Sequence, residues 1–140
     1  MREQVMRRRA LCSVFAAGML AGVALWGATP ATAHHSFAAV FDANQPIELT
    51  GTVTRVEWLN PHVWFYLDVE NEDGTVDNWA FEMGSPNRLQ RYGWHQGSMP
   101  PGQVITVTGS RARDGSMKAA VEDVILPGGR KLFGAQDRAQ

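Results

Sequence analysis

The chain of 140 residues carries one cysteine, Cys12, so no intrachain disulfide can staple it. It has no large excess of either charge, with a formal net charge of -1. A phosphate-cradling loop, a nucleophile elbow and a cysteine nucleophile paired with histidine are all lacking. Asp68, Glu70, Glu72, Asp73 and Asp77 lack the ligand spacing of a calcium loop, so this acidic group reads as a solvated hairpin face. Internal repeats are also missing. These absences remove the common nucleotide-binding, hydrolase, calcium-sensor and solenoid classes.

What is present begins with a leader. Arg2, Arg7, Arg8 and Arg9 precede an apolar stretch from Ala10 to about Trp26, and Ala31-Thr32-Ala33 has the small-x-small pattern of a signal peptidase site. The stretch falls short of the roughly 20 residues of a comfortable membrane span, and it holds Gly18, Gly22 and Gly27. Residues 1–33 are therefore expected to be a signal peptide removed on export. Arg8-Arg9 ahead of apolar residues loosely resembles a twin-arginine signal, although an ordinary secretory n-region accounts for the same arginines. Cleavage would leave 107 residues with 9 basic and 13 acidic side chains, a net charge of -4. That balance argues against nucleic acid as a partner. Cys12 leaves with the leader, so the mature domain must hold together by its core alone, and its size is adequate for one.

Residues 34–46 read as an extended lead-in ending in the turn-rich cluster Asp42–Pro46. Ile47 to Trp58 reads as a long strand. Ile47, Leu49, Gly51 and Val53 keep one phase, while Val56 and Trp58 take the other, which implies a bulge near Thr54-Arg55. In the next strand Val63, Phe65, Leu67 and Val69 alternate with His62, Trp64, Tyr66 and Asp68, so the first set should face the core. Asn71–Gly74 is a hairpin loop, and Trp79, Phe81 and Met83 share a phase in the third strand. Ser85 as N-cap and Pro86 as first helical residue open a short helix that runs to about Tyr92. Two further strands, about 103–111 and 119–126, flank the loop Arg113–Ser116. Leu132 and Phe133 are expected to pack back.

A long bent first strand, and a helix between strands three and four, mark an all-β protein: a small five-stranded OB-like barrel over residues 47–133, with a flexible tail over 134–140. A small antiparallel sandwich is the runner-up, and it does not call for the helix.

Longer motifs stand out along this frame. They are His34-His35-Ser36-Phe37, Leu49–Val53, Glu57–Trp64, Trp79–Pro86 and Leu126–Phe133. Together they resemble the secreted bacterial family catalogued as domain-of-unknown-function family 6152, across nearly the whole mature chain. The resemblance implies an OB-like β-barrel and a periplasmic or secreted location, and it supplies no activity.

All four histidines, His34, His35, His62 and His95, survive cleavage. If the cut follows Ala33, His34 carries the free α-amine and can chelate a metal through amine and ring, with His35 or His62 completing a three-nitrogen site. Such donors suit Cu(II). If the cut follows Thr32, His35 stands third, which makes a different copper or nickel chelate through backbone amides. The 13-residue lead-in spans at most about 45 Å, and the 12-residue strand is about 40 Å long, so the lead-in can run back to His62. Plain solvation of His34 and His35 is an equally open reading, as is a corner-fixing role for His62. His95, after Trp94, reads as a surface residue.

Three functions are therefore in play. One is an exported, non-catalytic protein binding copper through His34, His35 and His62. The second is a ligand- or protein-partner module presenting Trp64 and Tyr66 on the outer face of strands two and three, without metal. The last and weakest is a copper oxidase, because no substrate groove is evident. The expected partners are a metal ion or small ligand, with an envelope protein as a further candidate, and copper is the one cofactor indicated. No membrane span is expected after cleavage.

Overall fold

The computed structural model describes residues 37–135. The expected leader (1–33), residues 34–36 with His34 and His35, and residues 136–140 lie outside the described residues.

The alternation seen in the sequence governs β2 (Trp64–Glu70): Phe65, Leu67 and Val69 are buried, as is Val63 just ahead of it, while Trp64, Tyr66 and Asp68 are half-buried on the opposite face. β2 pairs antiparallel with β3 (Val76–Glu82), where Phe65 lies opposite Phe81 and Trp64 opposite Glu82. Trp79, Phe81 and Met83 face the core as their shared phase requires, and the Phe65 and Phe81 rings stack at 5.1 Å.

β1 (Phe41–Glu57) pairs with β2 on one side and with β4 (Val104–Ala112) on the other. Its register against β2 slips between Val53 and Arg55, which leaves Thr54 as the bulged residue that switches the phase. The strand is longer than the sequence suggests. It begins at Phe41, and the turn-rich residues 42–45 sit within it, where the register against β4 shifts between Phe41 and Pro46. The Asp42 carboxylate accepts from the backbone N–H of Asn44 at 3.0 Å, so local turn chemistry makes a bulge rather than a strand end.

Between β3 and β4, α2 (Pro86–Arg91) buries Pro86 and Leu89. Ser85 occupies its N-cap position with extended backbone, but its side chain makes no capping bond. β5 (Lys118–Ile125) pairs antiparallel with β4 and parallel with β3, and this last pairing closes a ring of five strands. Strand order and ring together give the five-stranded OB-type barrel. A sixth short strand, β6 (Lys131–Phe133), adds to the edge of β5 and buries Leu132. Gly134 and Ala135 continue the packed structure: the Gly134 N–H donates to the Glu122 carbonyl at 2.7 Å, and its own carbonyl accepts from Gly84 at 2.9 Å.

A separate apolar cluster lies on the outside of the ring. The short helix α1 (Phe37–Val40) sets Phe37 and Val40 against buried Phe41, Ala112 and Ala120. Arg113 clasps this segment from β4's end. Its Nε donates to the Ala38 carbonyl at 2.8 Å, and its Nη1 lies 3.3 Å from the Asp42 carboxylate. The Asn44 backbone amide, with help from the Arg113 charge, holds the Asp42 carboxyl below its ordinary range. Arg113→Ala is expected to leave the barrel folded and to speed amide exchange selectively over residues 37–45. Unchanged exchange there would show that the apolar cluster and the Arg113 N–H bond to the Val40 carbonyl hold the segment without the side chain. Among the described residues, no helix is long and apolar enough to cross a membrane, which says nothing of strands.

Candidate functional site

The outward-facing side of β1, β2 and β3 gathers the residues singled out from the sequence. Cross-strand register places Glu57, Trp64 and Glu82 in one row and Arg55, Tyr66 and Ala80 in the next. His62 precedes Trp64 by two residues and so shares its face. Backbone bonds between Val63 and Met83 and between Val63 and Gly84 carry the β2–β3 pairing past the ladder to this corner. His62 is thereby diagonal to Glu82, within reach of a long side chain, and its Nδ1 meets the Glu82 Oε1.

This contact fixes the histidine's chemistry. A carboxylate can only accept, so Nδ1 carries a proton, and whenever the ring is neutral its lone pair is on Nε2. Among the described residues Nε2 has no partner. The His62 side chain is 36% exposed and that of Glu82 13%, so the carboxylate is sheltered while the ring can still be approached.

The two aromatics differ. Tyr66 is engaged within the chain: the Arg55 guanidinium lies 4.0 Å from its ring centroid, and its hydroxyl donates to Glu57 Oε2 at 3.4 Å. Arg55 also pairs with Glu57 at 3.1 Å. Trp64 is half-buried between Glu57 and Glu82. Trp79 is core, stacked near Phe81, and Trp58 packs partly buried against the core. His95 is exposed and belongs to a turn, its Nδ1 accepting from the Gly97 N–H at 3.2 Å.

The α1 segment packs near the other neighbour of β3. Ala120 of β5 is the direct partner of Glu82, on a strand about 4.8 Å away. Ala120 is also part of the cluster against which Phe37 packs. Among the described residues no group of three or more His, Cys, Asp or Glu could hold a metal ion. The His62–Glu82 pair on this face falls short of such a group.

Glu82 was missed in the sequence because nothing in its own neighbourhood marks it. The usable signal was the hairpin: the Asn71 N–H donates to the Thr75 carbonyl, so residues equidistant from Asp73 face each other, and Glu82 falls opposite Trp64.

No curated protein matches the chain. Among solved structures, a crystal structure of the mitochondrial single-stranded DNA-binding protein Rim1 of S. cerevisiae is similar at 9% identity and a TM-score of 0.47, covering 59% of this chain and 93% of that one. DNA binding belongs to that protein, and a likeness of this degree carries no argument about this one. The family of unknown function DUF6152 matches residues 23–121, well over half of the sequence. The chain belongs to the family of unknown function DUF6152.

Proposed function

We propose that the protein is exported, is cut before His34 and works as a non-catalytic binder of a copper-like ion. The ion is held by the His34 amine and ring together with His62, and His35 stands by as an alternative donor. One observation supports the reading: His62 sits on the outer face with Nδ1 on a sheltered carboxylate, and among the described residues Nε2 has no partner. A ligating histidine ordinarily donates its other N–H to a carboxylate or carbonyl in this way. Mixed amine and imidazole donors favour Cu(II) among the divalent ions.

The rival reading, a ligand face on Trp64 and Tyr66, has less support. Tyr66 already spends its hydroxyl and a ring face on Glu57 and Arg55, which leaves Trp64 to do the stacking.

Copper titration of the exported protein, its N-terminus fixed by mass spectrometry, tests the proposal. One equivalent should bind with a nitrogen-rich Cu(II) spectrum. The His34→Ala, His62→Ala double variant should lose both the tight binding and that spectrum. Equal affinity in the double variant would sink the proposal.

A further inference from the structure

We propose that a hollow beside α2 binds a small hydroxylated organic anion through Arg91 and Arg88; it uses none of the residues of the metal reading. The hollow has a volume of about 340 Å³ and is lined by Ser85, Asn87, Arg88, Arg91 and Tyr92. That volume lies at the small end of the roughly 300–1,000 Å³ of ligand pockets. The helix period builds it. Pro86 and Leu89, three residues apart, are buried and anchor α2 by one side. Ser85, Arg88 and Arg91 repeat at the same spacing on a neighbouring side, and Asn87 stands four residues before Arg91. Tyr92 closes the end: its ring meets Phe133 in a T-shaped contact at 5.3 Å, yet the residue stays 45% exposed.

Charge selects the ligand. None of the five lining residues is acidic, although the chain carries 14 acidic residues against 13 basic ones. Arg91 is exposed and makes no ion pair among the described residues. Arg130 adds a guanidinium at the rim, its Nη2 donating to the carbonyl of Gly93, next to Tyr92, at 3.4 Å. A guanidinium presents paired donors that match the oxygens of a carboxylate or a phosphate. The Ser85 hydroxyl makes no capping bond, which leaves it, with the Asn87 amide, to serve ligand hydroxyls. The lining holds no aliphatic side chain, so it matches a sugar-sized acid or phosphate and not a fatty acid.

The test follows amide shifts of the 15N-labelled full chain on adding gluconate, glycerol 3-phosphate or neutral glucose. At least one anion should shift residues 85–93 saturably, and glucose should not. The anion that binds more tightly tells a carboxylate site from a phosphate site. Arg91→Ala should weaken that binding about tenfold or more, the ordinary worth of a hydrogen bond to a charged group. Because Arg91 is exposed, this variant should keep its fold, and unchanged shifts in β2 verify that. Arg91→Lys keeps the charge but loses the fork, so its affinity should fall between the two. No saturable shift with either anion, equal shifts with glucose, or unchanged affinity in Arg91→Ala overturns the proposal.

Discussion

Phe81→Ala is expected to lower the unfolding free energy by about 3–5 kcal/mol, the cost of truncating a fully buried aromatic. Phe81 has no exposed surface, stacks on Phe65 at 5.1 Å, and lies 6.2 Å from Trp79 in a second stacked pair. The substitution removes the ring at the centre of this row and leaves a cavity lined by rigid neighbours. A domain of this size has a net stability of about 5–15 kcal/mol, so one such loss takes a large share of it. In urea the midpoint should fall with little change in slope, because the surface exposed on unfolding hardly changes. A shift under about 1 kcal/mol would mean that the core collapses around the gap far more readily than cores of this kind do.

The second large effect is expected at Gly109. A side chain there would place its Cβ 2.1 Å from the Ala120 carbonyl oxygen, and backbone cannot swing aside as a side-chain tip can. The site lies where the β4–β5 register shifts, between Thr108 and Gly109, so the close approach is part of how the two strands cross. Gly109→Val should therefore cost at least the roughly 1–3 kcal/mol typical of overpacking. It should act locally first, loosening β5 and with it the β3–β5 closure of the ring. Amide exchange at residues 118–125 should rise before that of β2. Native-like exchange in β5 would show that the strands can part by the needed distance without losing their pairing.

The core of the barrel could be read in the sequence because single-strand periodicity determines it. The alternation of Val63, Phe65, Leu67 and Val69 names a buried face without knowledge of any partner strand, and the phase change after Val53 gave away the Thr54 bulge. Ser85-Pro86 marked a helix start correctly even though the Ser85 hydroxyl caps nothing. Residues 42–45 were harder. Asp, Asn and Pro favour turns by local bonding, and whether such a turn ends a strand or bulges within it depends on an anchor beyond it. That anchor is Phe41, held by Ala112 and Ala120 from two distant strands. β6 was likewise hidden, since three residues carry no period and Leu132 gains its place only from β5.

The same division runs through the site. Trp64 and Tyr66 were legible as one face of one strand, with His62 in the same phase just ahead of it. Their different states were not: Arg55 covers Tyr66 because the bulge at Thr54 sets Arg55 opposite it, and Glu82 meets His62 because the β2–β3 register brings them diagonal. His34 and His35 lie outside the described residues, and their reading as donors rests on the cleavage pattern alone. What the barrel adds is the pairing of His62 with Glu82 and, separately, the packing of Phe37 and Val40 against Phe41, Ala112 and Ala120.

The central claim is therefore about location: an ion held beside His62, on the outer face between β2 and β3. Cu(II) added in sub-stoichiometric amounts to 15N-labelled exported protein tests it directly, because the paramagnetic ion broadens amides according to their distance from it. Broadening confined to His62, Val63 and Trp64, to Glu82 and to Ala120 with the α1 segment is the expected result. Broadening centred on His95 and its turn, or none in the barrel at all, would contradict the claim.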